Sequence, residues 1–202
     1  MRLLLISPPD ALAAELPALD ELFGLGLVRY HVRKPGWSQS EMTAYLARIP
    51  ARHHARLVLH AHPALVAELE LGGLHLTAAA RAALVLPPRL RPSQTLSTSF
   101  HSLAEIHRHR RRYDYVFLSP IFDSLSKVGY NAACHLPEVA AALRQLRRRT
   151  VYAPQVVALG GIGADKLAAV RELGFAGAAV LGAVWQSPDP VAAFHRLHSI
   201  VG

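Results

Sequence analysis

The chain has 202 residues, of which 51% are hydrophobic and 18% are charged. It is long enough for one domain with a full core, and it is too apolar to be disordered. Its apolar runs are shorter than the roughly 18 residues that span a bilayer, and the apolar start at Arg2–Ser7 is too short for a signal peptide. The single cysteine, Cys134, excludes an internal disulfide. We therefore expect a cytoplasmic protein that has no membrane partner.

The net charge of +8 is carried almost entirely by arginine, since only Lys34, Lys127 and Lys166 are lysines. The arginines cluster at residues 107–112 and 147–149, at the ends of predicted helices, where cations stabilise the helix macrodipole. No aromatic platform accompanies them, so nucleic-acid binding is the weaker interpretation. The positive field favours small acidic substrates as partners.

Apolar runs and helical spacings alternate along the whole chain. The patterns predict strands over residues 2–7, 27–34, 56–61, 73–77, 95–101, 115–118, 156–159 and 177–181. The segments between them predict helices over 10–23, after Ser38, after Pro63, after Ser102, and over 136–149, 165–173 and 189–201. Residues 78–92 hold about one helical turn. Capping boxes begin two of these helices, Ser38 with Glu41 and Ser102 with Glu105, and Gly174 ends another.

Eight such strand–helix units, without a linker between them, require parallel strands joined by right-handed crossovers. The glycine turn at residues 160–163, late in the chain, predicts a single-domain TIM (β/α)8 barrel over residues 1–202. A doubly wound open sheet is the alternative. It would place its glycine loop after the first strand, where this chain has Ser7–Asp10.

A TIM barrel gathers the residues at the carboxyl ends of its strands at one mouth. The polar side chains expected there include His31, Arg33, His60, His75, Ser99 and His101. Arginine and hydroxyl groups that converge on one mouth predict an anion site. The four histidines lack the local spacing of a metal site and no carboxylate accompanies them, so we expect no metal centre. Cys134 has no predicted base beside it and is expected to be a structural thiol.

Three further segments predict phosphate binding. Gly160 and Gly161 follow strand seven, and Gly182 with Ala183 follows strand eight. Backbone N–H groups of these two loops commonly bind a phosphate in TIM barrels, although a tight βαβ unit explains the glycines without a ligand. The loop after strand six carries Ser124, Ser126 and Lys127, which suit the capture of a phosphate or diphosphate. A solvated serine-rich loop is the alternative there.

Five segments carry a resemblance to a known family. They are YVFLSPIFDSLSK at 115–127, GLHLT at 73–77, STSFHSLAEI at 97–106, VVALGGIG at 156–163 and GAAVLGAV at 177–184. In this order and spacing they resemble the thiamine phosphate synthase/TenI superfamily. The synthase branch implies that hydroxymethylpyrimidine diphosphate is joined to thiazole phosphate with release of diphosphate. The TenI branch implies a thiazole tautomerase or a non-catalytic thiazole-phosphate-binding protein.

The resemblance implies a role for each group of mouth residues. Ser124, Ser126, Lys127 and Arg33 would hold the diphosphate, while Gly160, Gly161, Gly182 and Ala183 would hold the thiazole phosphate. Lys127, Arg33 and His31 are predicted to act in catalysis, and His60, His75, Ser99 and His101 to line the same pocket. Small phosphorylated substrates are the implied partners, and a homodimer is the assembly to test.

Two departures from the family pattern concern the chemistry directly. The resemblance implies Mg²⁺ as cofactor, but the two aspartates that hold it in the synthases fall on Ala61 and near Ala80. The histidine that serves the tautomerases falls on Pro120. His31, His60 and His101 are the candidates to replace a missing base.

Overall fold

The computed structural model describes residues 1–123 and 135–202, and within them eight parallel strands close into a barrel. The strands are β1 (Arg2–Ile6), β2 (Arg29–Val32), β3 (Leu57–Leu59), β4 (Gly73–Leu76), β5 (Thr95–Phe100), β6 (Tyr115–Leu118), β7 (Gln155–Leu159) and β8 (Gly177–Val180). Each strand pairs with the next in the chain, and β8 pairs with β1. The predicted TIM barrel is confirmed.

The helices follow the strands and cover the outside of the barrel. Those in the described residues are α1 (Glu15–Gly24), α2 (Gln39–Leu46), α3 (Pro63–Glu68), α4 (Ala78–Ala83), α5 (Leu103–Arg108), α6 (Leu136–Arg147), α7 (Leu167–Leu173), α8 (Gly182–Trp185) and α9 (Pro190–Val201). None of them combines the length and the apolar character that crossing a membrane requires.

Local signals in the sequence place several helix ends correctly. Both predicted capping boxes form, at Ser38 and at Ser102, with the side chain and backbone exchanging hydrogen bonds with the glutamate three residues on. Gly174 ends α7 with a φ of 92°, a left-handed conformation that glycine adopts without strain.

Three local predictions were incomplete. Helix α1 begins at Glu15 rather than at Asp10, because Pro17 is tolerated only in a first turn and Lys34 binds the Asp10 carbonyl outside the helix. The sequence analysis did not predict the 3₁₀ turn at Ala51–Arg56 or the four-residue helix α8. Both are too short for a helical periodicity to be visible in the sequence.

Two cores hold the barrel together. A large apolar cluster lies between the strands and the surrounding helices. A smaller cluster fills one side of the barrel interior and consists of Leu4, Ile6, Tyr115, Phe117, Val157 and Ala179. These six residues come from β1, β6, β7 and β8 alone. The interior side formed by β2 to β5 carries buried polar residues instead, and this is where the candidate site lies.

Candidate active site

Three imidazoles from consecutive strands meet inside the barrel, which we call the histidine cluster. His31 lies on β2, His60 directly follows β3, and His75 lies on β4. Nδ1 of His31 is 3.0 Å from Nε2 of His60, and the rings of His60 and His75 stack with their centroids 4.2 Å apart. All three were predicted to lie near the mouth, and the parallel register of β2, β3 and β4 brings them into contact.

Hydroxyl groups from β5 and β6 hold the outer edges of the cluster. The Tyr115 hydroxyl is 2.8 Å from Nε2 of His31. The hydroxyls of Ser97 and Ser99 are 2.9 Å and 3.0 Å from Nδ1 and Nε2 of His75. Because both nitrogens of His31 and of His75 have partners, the two rings are fixed in orientation.

Burial keeps the cluster uncharged. Desolvation is the main cause that lowers the pKa of His31 and of His75 well below 6.5. Burial, and then the positive charge of Arg33, lowers the pKa of His60 to about 3. At neutral pH the three side chains are therefore neutral imidazoles, which donate and accept hydrogen bonds but carry no charge.

Arg33 lies at the rim, two residues beyond His31. Its backbone is fixed because the Arg33 N–H donates to the Ser7 hydroxyl at 2.8 Å, and that hydroxyl donates back to the Arg33 carbonyl at 3.0 Å. Within residues 1–123 and 135–202 its exposed guanidinium forms no ion pair. Arg33 therefore offers a positive charge, at the mouth, to an incoming anion.

Arg29, which shares a face with His31 and Arg33 by strand alternation, lies at the opposite end of β2. It donates to the Ala55 carbonyl at 2.6 Å. Arg29, His31 and Arg33 therefore occupy three different heights along the barrel axis.

Ser99 and His101 lie on β5 and just beyond it. Ser99 belongs to the histidine cluster through His75. His101 is exposed, and its Nδ1 is 2.8 Å from the carbonyl oxygen of Ser119, at the end of β6. His101 therefore lies on the rim, apart from the buried imidazoles.

The glycines after β7 are required by packing between two loops. Gly160 and Gly161 have φ values of 97° and 65°. A Cβ on Gly160 would lie 2.9 Å from Cα of Pro120, and one on Gly161 would lie 2.5 Å from the carbonyl oxygen of Asp123. The two loops are also joined by a hydrogen bond from the Phe122 N–H to the Gly160 carbonyl at 3.2 Å. This contact accounts for both glycines, and their binding of a phosphate stays a prediction.

Gly182 and Ala183 are the first two residues of α8. The Trp185 indole N–H anchors this short helix by donating to the Ile6 carbonyl at 2.8 Å. The atoms nearest to a Cβ on Gly182 would be those at the flexible end of the Gln186 side chain, at 3.0 Å. Unlike the turn after β7, this position therefore meets no close backbone atom among the described residues, and its phosphate binding also stays a prediction.

Four residues of the sequence analysis lie outside the described residues. They are Ser124, Ser126, Lys127 and Cys134. The roles predicted for the first three, in diphosphate binding and catalysis, stay predictions.

Sequence reasoning missed Tyr115, Phe117 and Ser97 as parts of the site. The Phe117 ring packs against His31 and His75, with centroids 4.9 Å and 5.0 Å away. A signal was available, because residues two apart on a strand share a face. Ser97 is two residues from Ser99 on β5 and therefore shares its face. Tyr115 and Phe117 likewise share one face of β6.

A groove of about 450 Å³ lies away from the histidine cluster, between the start of α1 and helix α2. Its lining is mostly apolar and includes Leu12, Leu16, Trp37 and Tyr45. Since none of the predicted site residues within 1–123 and 135–202 lines it, we do not assign the reaction to this groove.

Comparison with known proteins connects this barrel to one family. The family model described as thiamine monophosphate synthase matches residues 3–184. A thiamine-phosphate synthase of Bacteroides fragilis is 28% identical over 147 residues, which cover 72% of each chain. One from Listeria monocytogenes is 25% identical over 190 residues, or 89% of this chain and 86% of that relative.

Solved structures agree with these relatives. The thiamine phosphate pyrophosphorylase of Bacteroides thetaiotaomicron matches with a TM-score of 0.82 and 30% identity, covering 100% of this chain and 98% of that one. A 3-hexulose-6-phosphate synthase matches with a TM-score of 0.67 at 14% identity, which shows the common fold alone.

The closed barrel and its polar mouth define a TIM-barrel protein whose candidate site lies at the carboxyl ends of the strands. More particularly, the chain belongs to the thiamine monophosphate synthase family, as the motifs of the sequence predicted. The relatives support a synthase-type transferase of thiamine biosynthesis, and they do not favour the tautomerase alternative.

Proposed function

We propose that this chain joins hydroxymethylpyrimidine diphosphate to thiazole phosphate and releases diphosphate. The observation that carries the proposal is the match, over the whole chain, to a thiamine phosphate pyrophosphorylase at 30% identity and a TM-score of 0.82. The family model supports it over residues 3–184.

The proposed reaction exchanges one bond for another at a single carbon. The bond between the pyrimidine methylene carbon and the diphosphate oxygen breaks, and its electron pair leaves with diphosphate. The thiazole nitrogen then donates its lone pair to the resulting carbocation, which forms the new C–N bond. No covalent intermediate with the protein is needed, so catalysis consists of positioning and charge stabilisation.

Arg33 suits the role of neutralising the leaving diphosphate, because its fixed backbone holds at the rim a guanidinium that forms no ion pair with the described residues. In the proposed site Ser124, Ser126 and Lys127 approach the same group from the loop after β6. In this proposal the histidine cluster and the Phe117 ring form the floor of the pocket, and the face of the Phe117 ring can stabilise a pyrimidine carbocation. His31 contributes to this floor.

The thiazole phosphate is proposed to bind on the opposite side of the mouth, at the turns after β7 and β8. Backbone N–H groups at Gly161, Gly182 and Ala183 would face its phosphate, since TIM barrels use these two loops for phosphates. This arrangement places the two substrates side by side above the barrel.

Mg²⁺, the cofactor that the family implies, does not fit the described residues at the expected positions. Mg²⁺ requires oxygen ligands, and the resemblance puts the two aspartates of the synthases at Ala61 and near Ala80, where this chain has alanines. The neighbouring side chains inside the barrel are imidazoles. The mechanism proposed here therefore contains no Mg²⁺ step.

The other interpretations of the sequence are less well supported. A TenI-like tautomerase lacks its histidine, because Pro120 occupies that position. A nucleic-acid-binding protein would need the arginine clusters to form a reading surface, whereas Arg147 donates to the Gly174 carbonyl and Arg112 stacks over Tyr152. We further propose that the protein acts in the cytoplasm on small phosphorylated substrates, with a homodimer as the assembly to test.

The reaction is tested by incubating the purified chain with both substrates and measuring thiamine phosphate and released diphosphate by chromatography. We predict that Lys127→Ala lowers turnover at least about tenfold, as loss of a charge-stabilising group does. Arg196→Ala, an exposed change on α9, is the matched control and should leave turnover unchanged.

Absence of product from the wild-type chain, under conditions where it binds thiazole phosphate, would refute the synthase reaction. Equal turnover of the Lys127→Ala variant and the wild type would refute the role of Lys127 while leaving the reaction intact.

A further inference from the structure

The three imidazoles of the histidine cluster have the composition and spacing of a set of metal ligands. Each offers one nitrogen, and the three nitrogens lie within 4.8 Å of one another. Nδ1 of His31 and Nε2 of His60 already face each other at 3.0 Å. Three side chains from three adjacent strands thus converge on one point inside the barrel, although they are far apart in the sequence.

Their hydrogen bonds leave suitable lone pairs for an ion. The Tyr115 hydroxyl can accept the Nε2–H of His31, which leaves the Nδ1 lone pair directed at His60. The buried Ser97 hydroxyl can accept the Nδ1–H of His75 and leave Nε2, beside Ser99, as the ligand atom. Such second partners fix the tautomer and orientation of ligating histidines in metal proteins.

In the absence of an ion, one of the two facing nitrogens of His31 and His60 must carry a proton. A metal ion can replace that hydrogen bond through a change of tautomer alone, with no net loss of protons. The site needs a modest contraction, since Zn²⁺ binds histidine nitrogens at about 2.0–2.1 Å. His60, which is the least buried of the three, has the most freedom to move.

The ligand set also selects the kind of ion. Neutral imidazoles suit Zn²⁺ and similar transition metals, whereas Mg²⁺ and Ca²⁺ need oxygen ligands. Within the described residues, no carboxylate hydrogen-bonds to any of the three rings. Three histidine ligands match the pattern of zinc sites whose fourth ligand is water or a substrate oxygen.

We propose that His31, His60 and His75 form a binding site for a transition-metal ion of the zinc class, with one coordination position open to the barrel mouth. The sequence analysis predicted no metal centre, because the spacing of these histidines along the chain contains no local metal motif. The proposed site differs from an aspartate-held Mg²⁺ site in its position, its ligands and its preferred ion.

The experiment uses the full chain, stripped of metal with a chelator and dialysed. Titration with Zn²⁺ by calorimetry should give one ion per chain, and a large excess of Mg²⁺ should not displace it. Co²⁺ in place of Zn²⁺ should give the intense visible absorption of a four-coordinate site. No substrate is present, so the outcome is independent of the proposed reaction.

Variants then locate the ion. His60→Gln and His75→Gln should each weaken Zn²⁺ binding at least about a hundredfold, since even the loss of a hydrogen-bond partner of a ligating residue costs about 10–100-fold. His195→Gln, an exposed change on α9, is the matched control and should bind like the wild type. Tyr115→Phe keeps the ring but removes the partner of His31, so it should weaken binding roughly tenfold.

Circular dichroism of the stripped variants shows whether each one folds, and Tyr115→Phe provides the test if a histidine variant does not. Less than one Zn²⁺ per wild-type chain overturns the proposal. So does unchanged affinity in the folded variants of the cluster, because the ion would then be held elsewhere.

Discussion

The glycines of the turns after β7 and β8 look alike in the sequence, but the structure requires glycine for different reasons at different positions. Gly160 and Gly161 have positive φ values and contact the loop after β6 closely. Gly182 does not have a positive φ value, and the atoms nearest to a Cβ built on it belong to the Gln186 side chain. The first two therefore contribute to stability whatever they bind, while Gly182 is free to serve a ligand.

We predict that Gly161→Ala lowers the free energy of unfolding by at least about 1–3 kcal/mol, the cost of a strained non-glycine residue. The added Cβ would also overlap the Phe122 and Asp123 carbonyls. Gly182→Ala should change stability by less than about 1 kcal/mol. Urea unfolding of both variants measures the difference, and equal stabilities would show that the two turns are not packed as described.

A buried ion pair joins three elements near the mouth. Lys34, just after β2, lies 2.6 Å from Glu15 of α1, and both side chains are almost completely buried. Tyr30 on β2 and Tyr45 on α2 donate to the same carboxylate at 2.5 Å and 2.6 Å. Lys34 also donates to the carbonyls of the loop after β1. This network holds Arg33, next in the chain to Lys34, in its place at the rim.

The two tyrosines make the network sensitive to alkaline pH. Burial, followed by the neighbouring Glu15 carboxylate, raises the pKa of Tyr45 far above 10, and burial does the same for Tyr30. Since the folded pKa is higher than the unfolded one, the contribution to stability is complete below the unfolded pKa of 10.0 and is lost as the pH rises above it.

The free energy of unfolding should fall with rising pH above about pH 10. We predict that Tyr45→Phe reduces the slope of this fall by up to about 1.4 kcal/mol per pH unit, the value for one titrating group. At neutral pH the same variant should be less stable by about 1–3 kcal/mol, because Glu15 loses a donor. Unfolding by urea from about pH 8 to about pH 11 measures both effects. A slope identical to that of the wild type would exclude Tyr45 as a contributor.

In the barrel as a whole, the arginine clusters lie at the opposite end from the candidate active site. The arginine clusters lie at the carboxyl ends of α5 and α6, and these helix ends precede β6 and β7. They therefore lie at the amino ends of the strands, away from the mouth. Their position fits the stabilisation of helix dipoles, and it leaves Arg33 as a positive charge at the end where the histidine cluster opens.

We predict that the combined change Arg110→Gln, Arg148→Gln and Arg149→Gln leaves turnover within about twofold of the wild type, since these exposed residues lie far from the mouth. Arg33→Gln should lower turnover at least about tenfold, because it removes the charge beside the leaving diphosphate. Steady-state kinetics at two ionic strengths compare the variants. A larger loss in the triple variant than in Arg33→Gln would contradict this separation.

The order of the elements, the helix caps and the family follow from the sequence alone. Each of these depends on residues close together in the chain: apolar runs for the strands, capping boxes at Ser38 and Ser102, and Gly174 at the end of α7. The start of α1 was one exception, because a distant lysine holds the segment before it.

Only the tertiary structure decided which polar residues belong together. His31, His60 and His75 come from three strands, and their spacing in the chain carries no sign of a common site. The pairing of Glu15 with Lys34 and the contact of Gly160 with Pro120 likewise join separate segments. The reason is physical: closure of the barrel sets the height and direction of each side chain, and that register is a property of all eight strands together.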